Sequence, residues 1–425
     1  MKTFEIRPSA SRLIGSLRDI GYDFNTAVAD LVDNSIAAGA THVQIEIRYS
    51  GADSAIVIAD DGEGMTERSI GEALRFGSNR AYKSDDLGRY GLGLKTASLS
   101  QCRCVTVLSR RSVDRYRIAV RQLDLGRIEE TDRWEVTEPE RIGNIDRAAH
   151  RLRRGPGTTV VWENLDRILG STRPDGGWAK RRLAKLAPQL EAYLGMVFHR
   201  FLDGEVAGRE PLHISVNGEK IRAWDPFALG ERTSVMLPLR WEIPTPDGSQ
   251  HVHLTRVVLP PREQFSSPEE FDRLAGPLKW NRQQGLYIYR SDRLIQGGGW
   301  AGIRTIDEHT KLARASLDFP SALDELFHVN VAKMRVSVPP DVRTMLEGPV
   351  HELCREADAI YRSDAAARGE ADADRSSGRS GSIIDGAALA VRSAAMVAGM
   401  TTDQLRTFES HLRQNNPDVA ALLGL

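Results

Sequence analysis

Apolar residues recur along the first part of the chain with two alternating periods. Leu13, Ile14, Leu17 and Ile20 fall on one side of a helical repeat, which predicts a short amphipathic helix over Ser9–Ile20. The stretch Ala27–Ala40, AVADLVDNSIAAGA, continues at helical spacing, with Asn25 or Thr26 placed to cap it and Gly39 to end it. Val43, Ile45 and Ile47 alternate as a strand, Ala55–Ala59 forms a second strand-like run, and Thr66–Phe76 reads as another helix. Arg75–Leu87 is polar and loop-like. Val105–Leu108, Tyr116–Val120 and Thr159–Trp162 supply further strands. Leu183, Leu186, Leu190, Leu194 and Val197 then define a long helix across Trp178–Phe201. Its basic start, Lys180, Arg181, Arg182 and Lys185, is read as a solvated face in preference to a phosphate contact.

Further along, His213–Val216, His251–Leu259 and Gly285–Arg290 are strand-like, and a second domain is expected from about His213 to Tyr361. Ala365–Ser382 has almost no large apolar residue and predicts a flexible linker. Ile383–Leu425 reads as two or three short helices, with Thr401 or Thr402 capping one. They form either a docking or dimerisation element or a tail packed on the second domain. The resulting division is 1–172, 173–362 (connecting helix and second domain), 363–385 (linker) and 386–425.

Composition narrows the class. A chain of 425 residues with 41% hydrophobic residues can build two or three cored domains. A formal net charge of -1 argues against a surface that coats nucleic acid or membrane throughout. No apolar run is long enough to span a bilayer, and MKTFEIRPSASRL has no apolar signal core. Cys102 and Cys104 alternate as small core residues, Cys354 stands alone, and no His/Cys spacing completes a zinc site. His251 and His253 alternate on a strand and read as surface. Reduced thiols in a cytoplasmic protein are the expectation.

The chemistry begins at Asp30 and Asn34. Positions four apart share a helix face, so a carboxylate and a carboxamide point into one place. An amide oxygen is a hard ligand suited to Mg²⁺, and a carboxylate suits the orientation of water. Three more motifs follow. They are the acidic glycine turn Asp60, Asp61, Gly62, Glu63, Gly64, Met65; the run LGRYGLGLKTAS with Gly88, Gly91, Gly93 and Lys95; and GPGTTVVWENL with Gly157, Thr158 and Thr159. Each is common alone; the four in this order are specific.

Their order and spacing resemble the GHKL ATPase superfamily, which includes gyrase, the ninety-kilodalton heat-shock chaperones, histidine kinases and MutL. The resemblance implies a Bergerat-fold α/β sandwich, with helices on one face of a mixed sheet, that binds ATP and Mg²⁺. It assigns the metal to Asn34 and the positioning of the attacking water to Asp30. Asp60 is implied to accept from the adenine amino group. An ionised carboxylate only accepts, which favours an amino-bearing purine. Gly62 and Gly64, next to Met65, let the backbone approach the base, and Thr158 supports the adenine contact. Gly88, Gly91 and Gly93 are implied to form a lid over the phosphates, with a helix starting near Leu94 and Lys95 adding charge. Two departures stand out. Most of the family has glutamate where this chain has Asp30, a loss of ~1.5 Å of reach, and Ala37 replaces an aspartate. Both point to slow turnover rather than lost binding. Asp33 is about 100° round the helix from Asn34 and is expected to be an exposed capping or salt-bridge residue, not a stand-in base.

GLYIYRSDRLIQGGGW and FHVNVAKMRVSVPP, Phe327–Pro340, resemble the second domain of MutL and microrchidia proteins, which has a ribosomal-protein-S5-like α/β fold. The resemblance gives Lys333 the role of reaching the γ-phosphate. It implies an ATPase that dimerises on ATP and acts on DNA or a DNA-processing partner, away from any membrane. The rivals are a protein-remodelling chaperone and an ATP-dependent scaffold with little hydrolysis.

Overall fold

The periodicities become elements with identifiable starts and stops. The computed structural model describes residues 4, 9–19, 22–75, 93–111, 113, 117–170, 174–246, 248–276, 278–330, 333, 336–374 and 402–415. α1 (Ala10–Arg18) follows Ser9, whose side-chain oxygen accepts from the Arg12 N–H. α2 (Phe24–Ala37) is capped by Asp23, which accepts from the Thr26 N–H. The expected caps Asn25 and Thr26 lie inside the helix. Asp23 is the residue with extended backbone, and its negative charge suits the positive end of the helix. Gly39, just past the cap residue Ala38, has φ +71° and turns the chain away.

The rest of the first unit runs β1 (His42–Arg48), β2 (Ala55–Asp60), α3 (Glu67–Leu74), α4 (Gly93–Leu99), β3 (Cys104–Arg110), β4 (Ala119–Asp124), α5 (Leu125–Thr131), α6 (Gly143–Leu152), β5 (Gly157–Glu163), α7 (Asp166–Leu169), α8 (Gly177–Val197), α9 (His199–Leu202), β6 (His213–Val216) and β7 (Glu219–Lys220). The strands form one mixed sheet in the order β4-β3-β5-β2-β1-β6-β7. Every neighbouring pair is antiparallel except β1 and β6, which align His42 with His213 in parallel. The strand expected to open a second domain therefore extends the first sheet. A parallel neighbour needs a long crossover, and the segment between β5 and β6, which includes α8, supplies it.

Side-chain alternation divides this sheet into two faces. Ile56, Ile58, Val105, Val107, Val160 and Trp162 join a large core with α1, α2 and α8. Ala55, Val57, Val120 and Val161 point the other way, against Ile145, Ala148, Ala149 and Leu152 of α6. Helices thus cover both faces, a correction to the expectation of one covered face. The fold is a mixed α/β arrangement of helices on a sheet, consistent with a GHKL-type architecture.

The two compact units of the chain are Met1–Trp224 with Arg290–Ile295 and Pro320–Val336, and Asp225–Tyr289 with Gln296–Phe319 and Ser337–Leu425. The second sheet is built from β8 (Ser234–Val235), β9 (Leu239–Thr245), β10 (Gly248–Val258), β11 (Gly285–Arg290), β12 (Arg293–Gly297) and β13 (Ala313–Phe319), in the order β12-β11-β13-β10-β8 with β9 on β10. Residues Arg290–Ile295, at the turn between β11 and β12, belong to the first unit. Helices α10 (Pro268–Leu274), α11 (Lys279–Gln283), α12 (Pro340–Asp374) and α13 (Thr402–Asn415) complete the described chain. α12 runs through residues 365–374, where a linker was expected. Alanine, arginine and glutamate there are strong helix formers even without apolar anchors. Among the described residues, no helix is long and apolar enough to cross a membrane.

Candidate functional site

α2 carries the site because nearly all of it is enclosed. From Phe24 to Ile36 only Asn25 and Asn34 escape full burial. A helix apolar on most sides must be surrounded by protein, and its few polar side chains must find partners. Asp30 is 3% exposed. Its Oδ2 accepts from the Tyr22 hydroxyl at 2.8 Å, and its Oδ1 from Lys333 Nζ at 2.9 Å. Burial, then the neighbouring Asp30 charge, pushes the Tyr22 phenol well above its ordinary range. Gly93, the first described residue of the glycine-rich run, lies against the same carboxylate. A Cβ there would stand 2.9 Å from Asp30 Oδ2.

Asp33 is not exposed, as the sequence reading had it. Its side chain is fully buried, with Oδ1 accepting from Arg293 Nε at 2.9 Å and Oδ2 from Lys333 Nζ at 2.6 Å. Of the two roles expected for it, capping or a salt bridge, the ion pair is the one observed, and it is enclosed rather than exposed because the partners come from 260 and 300 residues away. Asn34 is half-buried, and no described side chain bonds to its carboxamide.

One residue further on, α2 reaches a third carboxylate. Ser35 Oγ donates to Asp60 Oδ2 at 3.0 Å. Asp60 Oδ1 accepts from the Gly62 N–H at 3.0 Å and from the Thr158 N–H at 3.1 Å. Burial pushes the Asp60 carboxyl up to about 6, against the pull of these three donors. The turn needs its glycines. Gly64 has φ +71°, and a Cβ on it would lie 2.1 Å from the Arg110 carbonyl; a Cβ on Gly62 would lie 2.8 Å from the Ala38 carbonyl. Met65, half-buried, donates its N–H to Ser109 Oγ at 2.7 Å, and Ser109 Oγ lies 2.9 Å from Thr158 Oγ1.

The sequence-derived residues therefore gather into two groups joined by α2. Asp30, Lys333 and Gly93 meet in one. Asp60, Gly62, Thr158 and, through Ser109, Met65 meet in the other. Lys95 stands apart: it is fully buried, its Nζ lies 3.3 Å from the Ala73 carbonyl, and burial pulls its ammonium down to about 8. Gly88 and Gly91 lie outside the described residues. Tyr22, Ser35, Ser109 and Arg293 were missed. Only Arg293 carried a signal, since it sits within YRSDRLI.

The residues fit a purine nucleotide and a hard cation. Asp60 has four acceptor positions and uses three, leaving one for an amino group. Among the described residues no cluster of three or more His, Cys, Asp or Glu could hold a metal. Mg²⁺ takes one or two protein oxygens and completes its shell with phosphates and water, and the Asn34 carboxamide is an oxygen donor of that type.

Residues 22–152 match the family described as "Histidine kinase-, DNA gyrase B-, and HSP90-like ATPase". Protein MICRORCHIDIA 6 of Arabidopsis thaliana is 36% identical over 91 residues, 20% of this chain and 14% of that protein. The DNA mismatch repair protein MutL of Xylella fastidiosa is 31% identical over 199 residues, 42% of this chain and 29% of its own length. MutL of Histophilus somni is 38% identical over 147 residues, 33% of this chain and 20% of its own. The chain spans less than a third of the length of these curated relatives. The first unit carries a GHKL-superfamily ATPase domain with weak similarity to microrchidia and MutL proteins.

Proposed function

We propose that this chain is an ATP-operated conformational switch that hydrolyses ATP slowly, dimerises on binding it, and acts on DNA or a DNA-processing partner. The observation that carries the reading is the Asp60 carboxylate. Two backbone N–H groups and Ser35 fix it beside a glycine turn, within the segment that matches the ATPase family. At neutral pH it is an acceptor-only group, which selects the adenine amino group over the guanine carbonyl. Thr158 holds it in place, and Gly62 and Gly64 let the ring lie close to the backbone. Mg²⁺, held by Asn34 and the phosphates, would neutralise charge on the triphosphate.

Asp30 orients the attacking water, and Lys333 meets the γ-phosphate. A cation that contacts only this phosphate separates ATP from ADP and can bias a conformational equilibrium. Lys95 adds charge near the phosphates by turning from the Ala73 carbonyl, and the second unit acts as an S5-like transducer. The DNA-related step follows relatives named for mismatch repair and rests on that analogy.

A scaffold that binds ATP and scarcely turns it over is the second reading. It is favoured by the engagement of both Asp30 oxygens, one with Tyr22 and the other with Lys333. Titration calorimetry with ATP and Mg²⁺ tests the common premise, and absence of heat rejects both readings. Phosphate release set beside ATP-induced dimerisation separates them. Stimulation by double-stranded DNA is expected; stimulation by unfolded protein alone would move the assignment to a chaperone.

A further inference from the structure

Asp33 has no role in the reading above, yet it is among the most enclosed charges of the first unit. Arg293 is equally buried. Its Nε donates to Asp33 Oδ1 at 2.9 Å, and its Nη1 reaches the backbone carbonyl of Lys333 at 3.3 Å. The Lys333 ammonium in turn donates to Asp33 Oδ2 at 2.6 Å. The three residues close a ring. Arg293 holds the Lys333 main chain, Asp33 holds the Lys333 side chain, and Arg293 and Asp33 hold each other. Lys333 requires such restraint, because its φ of 48° lies in the left-handed region that residues with a side chain seldom adopt. The ammonium fixed in this way stands 2.9 Å from Asp30 Oδ1.

We infer that Asp33 and Arg293 are positioning residues that clamp Lys333 beside Asp30, setting the ammonium where it meets the γ-phosphate. The inference rests on the proposed roles of Asp30 and Lys333. Charge alone does not account for the ring. The ion pair with Asp33 engages only the guanidinium Nε, and Nη1 turns instead to the backbone carbonyls of Leu294 and Lys333, each at 3.3 Å. The fork of the guanidinium, which offers donors in two directions, makes that contact. A lysine at 293 would keep the charge and lose the bridge.

Two measurements on the full chain test this. In the first, without nucleotide, the protein is treated briefly with an amine-acylating N-hydroxysuccinimide ester and mapped by mass spectrometry. Lys333, 8% exposed, should label slowly in the wild type. Asp33→Asn and Arg293→Lys should each label it about tenfold faster, the signature of a local opening. Lys95, 0% exposed, should stay unlabelled and so report an intact fold. In the second, phosphate release and nucleotide titration are measured. Asp33→Asn should lower kcat by about tenfold to a hundredfold, as expected for a displacement near 1 Å, and leave ADP affinity within about twofold. Asp33→Glu should recover part of the loss. In a Lys333→Met background, Asp33→Asn should add nothing, since it acts through that lysine.

Wild-type labelling of Lys333 in both single variants overturns the clamp, as does a full additional loss in the double variant. If Asp33→Asn labels Lys95 as well, Arg293→Lys decides. A wild-type protein that binds no ATP rejects the proposed function, while the labelling arm still decides whether Lys333 is clamped.

Discussion

Replacing Asp60 by asparagine separates ligand binding from folding. Asp60 Oδ1 receives the Gly62 and Thr158 N–H groups, and Oδ2 receives, among the described residues, the Ser35 hydroxyl. An asparagine with its oxygen at the Oδ1 position keeps both backbone bonds. Its amide NH₂ then faces Ser35, whose hydroxyl can rotate to accept. The local fold is satisfied, but the edge offered to adenine becomes a donor meeting a donor. The loss is one hydrogen bond to a charged group, about 1.5–3 kcal/mol, so ATP should bind roughly tenfold to a hundredfold more weakly. Stability should move in the opposite sense. Burial raises the Asp60 carboxyl from 3.8 to about 6, so the fold favours the uncharged form. Its contribution is fully present below the unfolded value and is lost as pH rises through about 6. Asp60→Asn should therefore gain stability relative to wild type between pH 4 and pH 8, while wild-type ATP affinity falls as pH drops through about 6. Calorimetric titration with Mg²⁺ and ATP, with urea melts at the two pH values, reads both effects. Equal ATP affinity in variant and wild type would refute the assignment of Asp60.

Three further outcomes follow from the geometry. Asp30→Asn should keep ATP binding and abolish phosphate release; turnover at the wild-type rate would remove Asp30 from the chemistry. Gly157 has φ +138°, and a Cβ there would lie 2.0 Å from the Asp60 carbonyl oxygen. Gly157→Ala should thus destabilise by about 2–4 kcal/mol, seen as a lowered urea midpoint with unchanged slope. Arg290 pairs with Asp324 through two contacts at 2.7 and 2.9 Å, both side chains 2% exposed. Arg290→Met strands a buried carboxylate and should cost about 3–5 kcal/mol, with part of that recovered in the double variant Arg290→Met with Asp324→Asn.

The elements of the first unit were largely legible in the chain because they depend on near neighbours. Alternation set β1, a continuous apolar run set β2, helical spacing set α2 and α8, and i, i+4 geometry placed Asp30 and Asn34 on one helix face. The glycine turn after Asp60 could be read because only glycine tolerates its backbone and its close approach to the Ala38 and Arg110 carbonyls. Boundaries were less secure. Asp23 displaced Asn25 and Thr26 as the cap, and helix-forming alanines extended α12 beyond the expected end of the second domain.

What the tertiary structure decided is the company each charge keeps. Periodicity says that Asp33 is on a helix. It does not say that Arg293 and Lys333, far along the chain, will enclose it. Nor does alternation reveal that β6 pairs in parallel with β1, or that α6 covers the second face of the sheet. A local pattern records which face a residue presents. Only folding brings remote segments to that face, and the burial that results turns an ordinary surface aspartate into an ion-paired interior one.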